Sequence, residues 1–132
     1  MLIHMGTNDL GETSLLQLKK ALHDAVDAAK RLFPGCKLVW SEVLPRVNYA
    51  TALSQPRVDE ARKRLNRQAR GVMGRCGGHV ISHPDFSSEK RDLYRGDGVH
   101  LSDTGNKLLV DSFREGLTLF SLYPTIFRYP LL

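Results

Sequence analysis

Strand-like and helix-like segments alternate along this chain, which predicts an α/β domain with a parallel sheet covered on both faces. Three observations carry that expectation. Short apolar runs begin near Leu2, Lys37 and His79, and each is stopped by a glycine or proline. Longer segments between and after them repeat their apolar residues every three or four positions, the period of a helix with one buried face. At 132 residues the chain has the size of one domain with a real core.

The first run, Leu2-Ile3-His4-Met5, is strand-like and stops at Gly6. Thr13 to Phe33 reads as a helix, with Leu15, Leu18, Leu22, Ala25, Val26, Ala29, Leu32 and Phe33 at helical spacing. Thr13 or Ser14 can cap its start, and Pro34-Gly35 ends it. Lys37 to Val43 reads as a strand that Leu44-Pro45 stops, because proline cannot donate to a ladder. After a loop over residues 46–56, a second helix is expected from Arg57 to about Met73. Its buried stripe would be Val58, Ala61, Leu65, Ala69 and Val72. His79 to His83 is a short strand ended by Pro84, and a polar loop follows to Gly98. Ser102 or Asp103 then caps a last helix through Leu119, with Leu108, Leu109, Phe113 and Leu117 as its apolar side. From Ser121 to Leu132 the pattern breaks into apolar and aromatic residues with Pro124 and Pro130. That stretch either packs over a sheet edge or forms a sticky tail.

The composition, 42% hydrophobic and 25% charged, is that of a soluble globular protein and argues against disorder throughout. The net charge of +5 favours acidic partners only weakly until it is located on the surface. Two cysteines, Cys36 and Cys76, are too few for a disulfide framework or a zinc site and read as reduced structural thiols. No run is long enough to span a membrane, so no membrane partner is expected. Met1 leads into Leu2-Ile3-His4 without the basic and apolar regions of a secretory signal, so a cytoplasmic location is expected. That expectation lapses if the sequence is a piece of a longer protein.

Ligands of an open parallel sheet sit beyond the carboxyl ends of its strands. Two motifs fall at such positions: Gly6-Thr7-Asn8-Asp9 after the first run, and Asp97-Gly98-Val99-His100 before the last helix, continued by Leu101-Ser102-Asp103-Thr104-Gly105. Together they resemble the third and fifth blocks of the SGNH (GDSL-type) esterase and lipase family. The runs His4 to Asp9, Ser41-Glu42-Val43-Leu44-Pro45-Arg46 and Arg95 to Ser102 also resemble esterase-type domains carried by vertebrate retrotransposons. The likeness covers residues 2–119 and omits the tail.

The resemblance implies a three-layer α/β/α, flavodoxin-like SGNH hydrolase fold over residues 1–120, truncated at its N-terminus to about three parallel strands with flanking helices. It implies that His100 is the general base and that Asp97 orients its imidazole and stabilises the imidazolium. Asn8 would donate its amide to the oxyanion, and Gly6, lacking a Cβ, would let the backbone approach closely. No cofactor is implied, and the substrate would be a small ester.

The chain departs from the family in one decisive respect. The Gly-Asp-Ser block with the nucleophile should precede Gly6, where only five residues stand. Ser14, Ser41, Ser54, Ser82, Ser87, Ser88, Ser102, Ser112 and Ser121 are the other serines, and none sits in a glycine-flanked elbow. Ser102 falls where a helix cap is wanted, and Ser41 lies within a strand. The expectation is a hydrolase-like domain without a nucleophile, inactive alone. A missing first strand would leave an apolar edge prone to self-association.

Nucleic-acid binding is the alternative. Residues 57–75 hold seven basic side chains against Asp59 and Glu60, a local excess equal to the chain's whole net charge. Arg62, Lys63, Arg64, Arg67 and Arg70 could track phosphates without reading sequence, and no aromatic residue interrupts the stretch to stack on bases. The competing explanation is an ordinary solvated helix face. A metal site is not expected, since His79 and His83 would stand about 13 Å apart on one strand. His23 reads as ordinary surface.

Overall fold

The computed structural model describes residues 1–122 of the chain; the sequence expectation for the 121–132 tail falls mostly outside them. Three parallel strands, β1 (Leu2–Ile3), β2 (Val39–Ser41) and β3 (His79–Ile81), form one sheet in the order β1-β2-β3. Leu2 pairs with Val39, and Val39 with His79. Helices α1 (Leu15–Leu32) and α2 (Gln55–Cys76) are the crossovers, and α3 (Asp103–Leu122) follows the last loop. The strands are shorter than the apolar runs suggested, because the chain leaves the ladder at Glu42 and Ser82 to make loops.

Alternation of side chains across the strands separates two interiors. Ile3, Trp40 and Val80 face α1 and α2, packing with Leu18, Leu22, Val26, Leu65, Ala69 and Met73. Leu2, Val39 and Ile81 face α3, packing with Phe113 and Phe120. The result is a three-layer α/β/α arrangement. A third cluster, of Leu44, Phe86, Leu93 and Tyr94, lies under the loops at the carboxyl end and includes Leu108 and Leu109 of α3.

Local chemistry sets the helix ends. Ser14 accepts from the Gln17 amide while the Gln17 side chain accepts from the Ser14 amide, a capping box that starts α1. Ser102 Oγ accepts from Gly105 N–H at 3.1 Å and donates to Asp92 C=O at 2.6 Å, so its hydroxyl is occupied in starting α3. A Cβ on Gly105 would lie 2.1 Å from the Leu93 carbonyl oxygen, so this helix start can seat only a glycine. Gly116 similarly lets α3 approach the Ile81 side chain.

Some expectations need correction. The apolar side of α3 ends on buried Phe120, while Leu117 is 41% exposed. His23 is not plain surface: its Nε2 meets Gln68 Nε2 at 3.1 Å, tying α1 to α2. Cys36 is exposed and Cys76 half-buried, and both cysteines are free thiols. His79 and His83 do not share a strand, because β3 ends at Ile81. His79 stacks on Phe120, and no group of three His, Cys, Asp or Glu among the described residues could hold a metal ion.

Buried His83 joins a polar chain between the sheet and α3. His4 Nδ1 lies 2.8 Å from Ser41 Oγ, which lies 2.7 Å from His83 Nε2, and His83 Nδ1 is 3.0 Å from Ser112 Oγ. A hydroxyl between two imidazoles donates to one and accepts from the other, so neutral rings satisfy every member. Burial, with His4 nearby, pulls the His83 pKa down to about 4.

Two consequences are measurable. Gly105→Ala should destabilise the fold by about 2 kcal/mol or more, read as a lower unfolding midpoint in urea, because the new methyl meets backbone rather than a yielding side chain. The unfolded chain protonates His83 below about pH 6.5 while the native one resists until about pH 4. Stability should therefore be full above pH 6.5 and fall by up to about 3 kcal/mol towards pH 4. His83→Gln should flatten that slope.

Candidate active site

The loop after β1 runs through Gly6, whose φ of 107° is in the region glycine favours, and continues as a single 3-10 turn over Thr7–Asp9. Buried Leu10 anchors the turn into the main core. Asn8 stands exposed on it. Its Oδ1 accepts from Arg46 Nη2 at 2.7 Å. A guanidinium only donates, so the carbonyl end of the amide must face Arg46 and the Asn8 NH2 remains a donor.

Arg46 belongs to the loop after β2. Loop residues here are held mainly by side chains, since the ladder has ended. Asn66 on α2 is buried; its Oδ1 accepts from Val43 N–H at 2.8 Å and its Nδ2 donates to Val43 C=O at 3.1 Å. The carboxamide thus replaces a neighbouring strand for one residue. Arg62 Nη1 also donates to Val43 C=O, at 3.2 Å, while its Nε pairs with Asp59. Tyr49 donates to Asp59 Oδ1 at 2.6 Å.

Asp97 and His100 sit on a tight turn between paired Tyr94 and Leu101. Arg95 N–H donates to His100 C=O and Gly98 N–H to Arg95 C=O, closing the turn. Asp97 Oδ1 accepts from the backbone amides of Val99 at 2.8 Å and His100 at 3.0 Å; its Oδ2 lies 2.6 Å from His100 Nδ1. The His100 contact, then the two amides, hold the Asp97 carboxyl well below the usual carboxylate range. An ionised carboxylate accepts only, so neutral His100 carries its proton on Nδ1 and turns the Nε2 lone pair outward. The His100 side chain is 69% exposed, and no serine hydroxyl among the described residues is bonded to its ring.

Two contacts tie the loop after β2 to the segment that carries Asp97 and His100. Asn48 N–H donates to Gly98 C=O at 2.9 Å. Gly98 has φ 69°, and a Cβ there would lie 3.0 Å from Val47 Cβ and 3.1 Å from the Asn48 amide nitrogen. Tyr94 Oη donates to Pro45 C=O at 2.5 Å, and burial pushes its phenol up to about 12. Arg46 thus bonds Asn8 on one side and feels the charge of Asp97 on the other, while burial pulls its own pKa down. Arg46, Asn48 and Asn66 were not singled out from sequence for this work. The Ser41–Arg46 run held the only signal, and it concerned Arg46 alone.

The five basic residues singled out on α2 divide. Arg62 and Arg70 turn inward, to Asp59 and Glu42. Lys63 and Arg64 pair at 3.5 Å with Asp59 and Glu60, and Arg67 is exposed without an acidic partner among the described residues.

Beyond the strands of this α/β/α sheet stand a carboxylate-oriented imidazole and an amide donor. The model of the GDSL-like Lipase/Acylhydrolase family matches residues 1–108, and the chain belongs to that family. No curated protein and no solved structure matches it.

The Asp97 contact makes a direct prediction. In long-range 1H–15N spectra above neutral pH, His100 should show the Nδ1–H form, and Asp97→Asn should shift it towards Nε2–H. An unchanged pattern would show that the carboxylate does not set the tautomer.

Proposed function

We propose that this chain carries the base and oxyanion part of a serine ester hydrolase, with the attacking serine supplied from outside the described residues. The observation that carries the reading is the Asp97–His100 pair at 2.6 Å, on a rim shared with an Asn8 amide oriented by Arg46. His100 Nε2 would take the proton of the attacking hydroxyl and return it to the leaving alcohol. Asp97 would balance the imidazolium formed between those steps. Asn8 Nδ2 and the backbone at Gly6 would donate to the oxyanion of the tetrahedral intermediate. The substrate is an acyl or acetyl ester. The runs shared with transposon-borne esterase-type domains support placing the chain among them.

Three of the serines are committed elsewhere, which supports a separate nucleophile. Ser14 and Ser102 are spent on helix starts, and Ser41 is fully buried between two histidines. Residual hydrolysis by the rest of a triad is small, since its members act as a unit.

A fluorophosphonate probe should therefore leave the isolated chain unlabelled. Joining to it a Gly-Asp-Ser strand and helix from a family member should give labelling, and p-nitrophenyl acetate hydrolysis should rise about a thousandfold or more. That gain should be lost in His100→Ala and fall about a hundredfold in Asn8→Ala. Stoichiometric labelling of the native isolated chain would overturn the reading. So would a gain insensitive to His100.

A further inference from the structure

We propose that the seam between α1 and α2 is a binding track for the phosphate backbone of single-stranded nucleic acid, independent of the Asp97–His100 rim. Three adjoining recesses run along that seam and share lining residues: Leu15, Arg57 and Ala61 join the first to the second, and Arg64 the second to the third. The third, of about 310 Å³, is lined by Lys19, Arg64, Arg67, Gln68, Gly71 and Arg75, with no acidic side chain.

Spacing turns these cations into a row. Arg57, Arg64 and Arg75 fall on one stripe of α2, with Gln68 and Gly71 between them; Arg67 flanks the stripe and Lys19 faces it from α1. At 1.5 Å per helical residue the row extends about 27 Å. All four arginines are exposed, and only Arg64 has an acidic partner among the described residues, the loose and exposed Glu60. An exposed pair of that kind holds its partners weakly. Meanwhile the inward arginines, Arg62 and Arg70, are committed to Asp59 and Glu42. The excess positive charge of α2 is therefore concentrated on the seam.

A recessed linear row of guanidinium groups suits a chain bearing one negative charge per unit, each phosphate accepting forked hydrogen bonds. The third recess, with Gln68 and Gly71 among its cations, offers neither an aromatic face for base stacking nor an apolar side chain for a lipid surface, whereas Leu15, Leu53, Val58 and Ala61 line the first two together with Glu12 and Glu60. Recognition would rest on phosphates and ignore base identity.

The test is fluorescence anisotropy of the full chain with labelled 20-nucleotide oligo(U) and oligo(dT) over a range of NaCl. With four to five phosphates engaged, log K should fall with log[NaCl] at a slope of about −3, alike for both sugars. Arg64→Gln/Arg75→Gln should weaken binding about tenfold and flatten the slope to about −1.5. Lys107→Gln/Arg114→Gln, which removes the same charge from α3, should change binding less than about twofold, and circular dichroism should show all variants folded. His100→Ala should bind as the parent does, separating this inference from the hydrolase reading. Equal losses in the two double variants would overturn the proposal. So would salt-insensitive binding, a tenfold preference for one sugar, or binding to phosphatidylserine vesicles without binding to either oligonucleotide.

Discussion

The ladder of this sheet stops after two or three residues in each strand, and the backbone beyond it must find other partners. That constraint organises the whole carboxyl end. Val43 bonds with the Asn66 carboxamide, Pro45 with the Tyr94 hydroxyl, and Asn48 with the Gly98 carbonyl. Each bond runs between elements distant in sequence. The loops that carry the candidate chemistry are therefore fixed to helices and to one another, which is how a rim of irregular backbone keeps a defined shape.

The same economy orients the candidate groups. Arg46 sets the Asn8 amide because a guanidinium has no acceptor to offer, and Asp97 sets the His100 tautomer because an ionised carboxylate has no proton. Neither needs a strong interaction: both follow from which atoms can donate. With Asp97 44% exposed, its pairing with His100 is a device for direction more than for stability.

Helix α2 divides its functions by face. Its buried side fills the main core, and Asn66, Arg62 and Arg70 reach under the loops to hold Val43 and Glu42. Its outer side holds arginines of which, among the described residues, only Arg64 has an acidic partner, the exposed Glu60. A helix with seven basic residues over 57–75 thus behaves as two populations, which a charge count alone merges.

Much of the fold was legible in residue patterns. Period and punctuation located three strands and three helices, since burial of one face imposes spacing and glycine, proline and serine mark ends by their own backbone chemistry. The family motifs placed Gly6, Asn8, Asp97 and His100 in order along the chain, and the Asp97–His100 contact is local enough to follow from a three-residue spacing. What tertiary structure decided was everything that needs two distant segments. Examples are the Asn66 carboxamide standing in for a strand, Arg46 reaching Asn8, Gly98 pressed against Asn48, and a serine enclosed by histidines from β-strand ends. The division of the arginines into inward and outward sets belongs here too. Local spacing encodes which face a residue occupies; only packing encodes what that face meets.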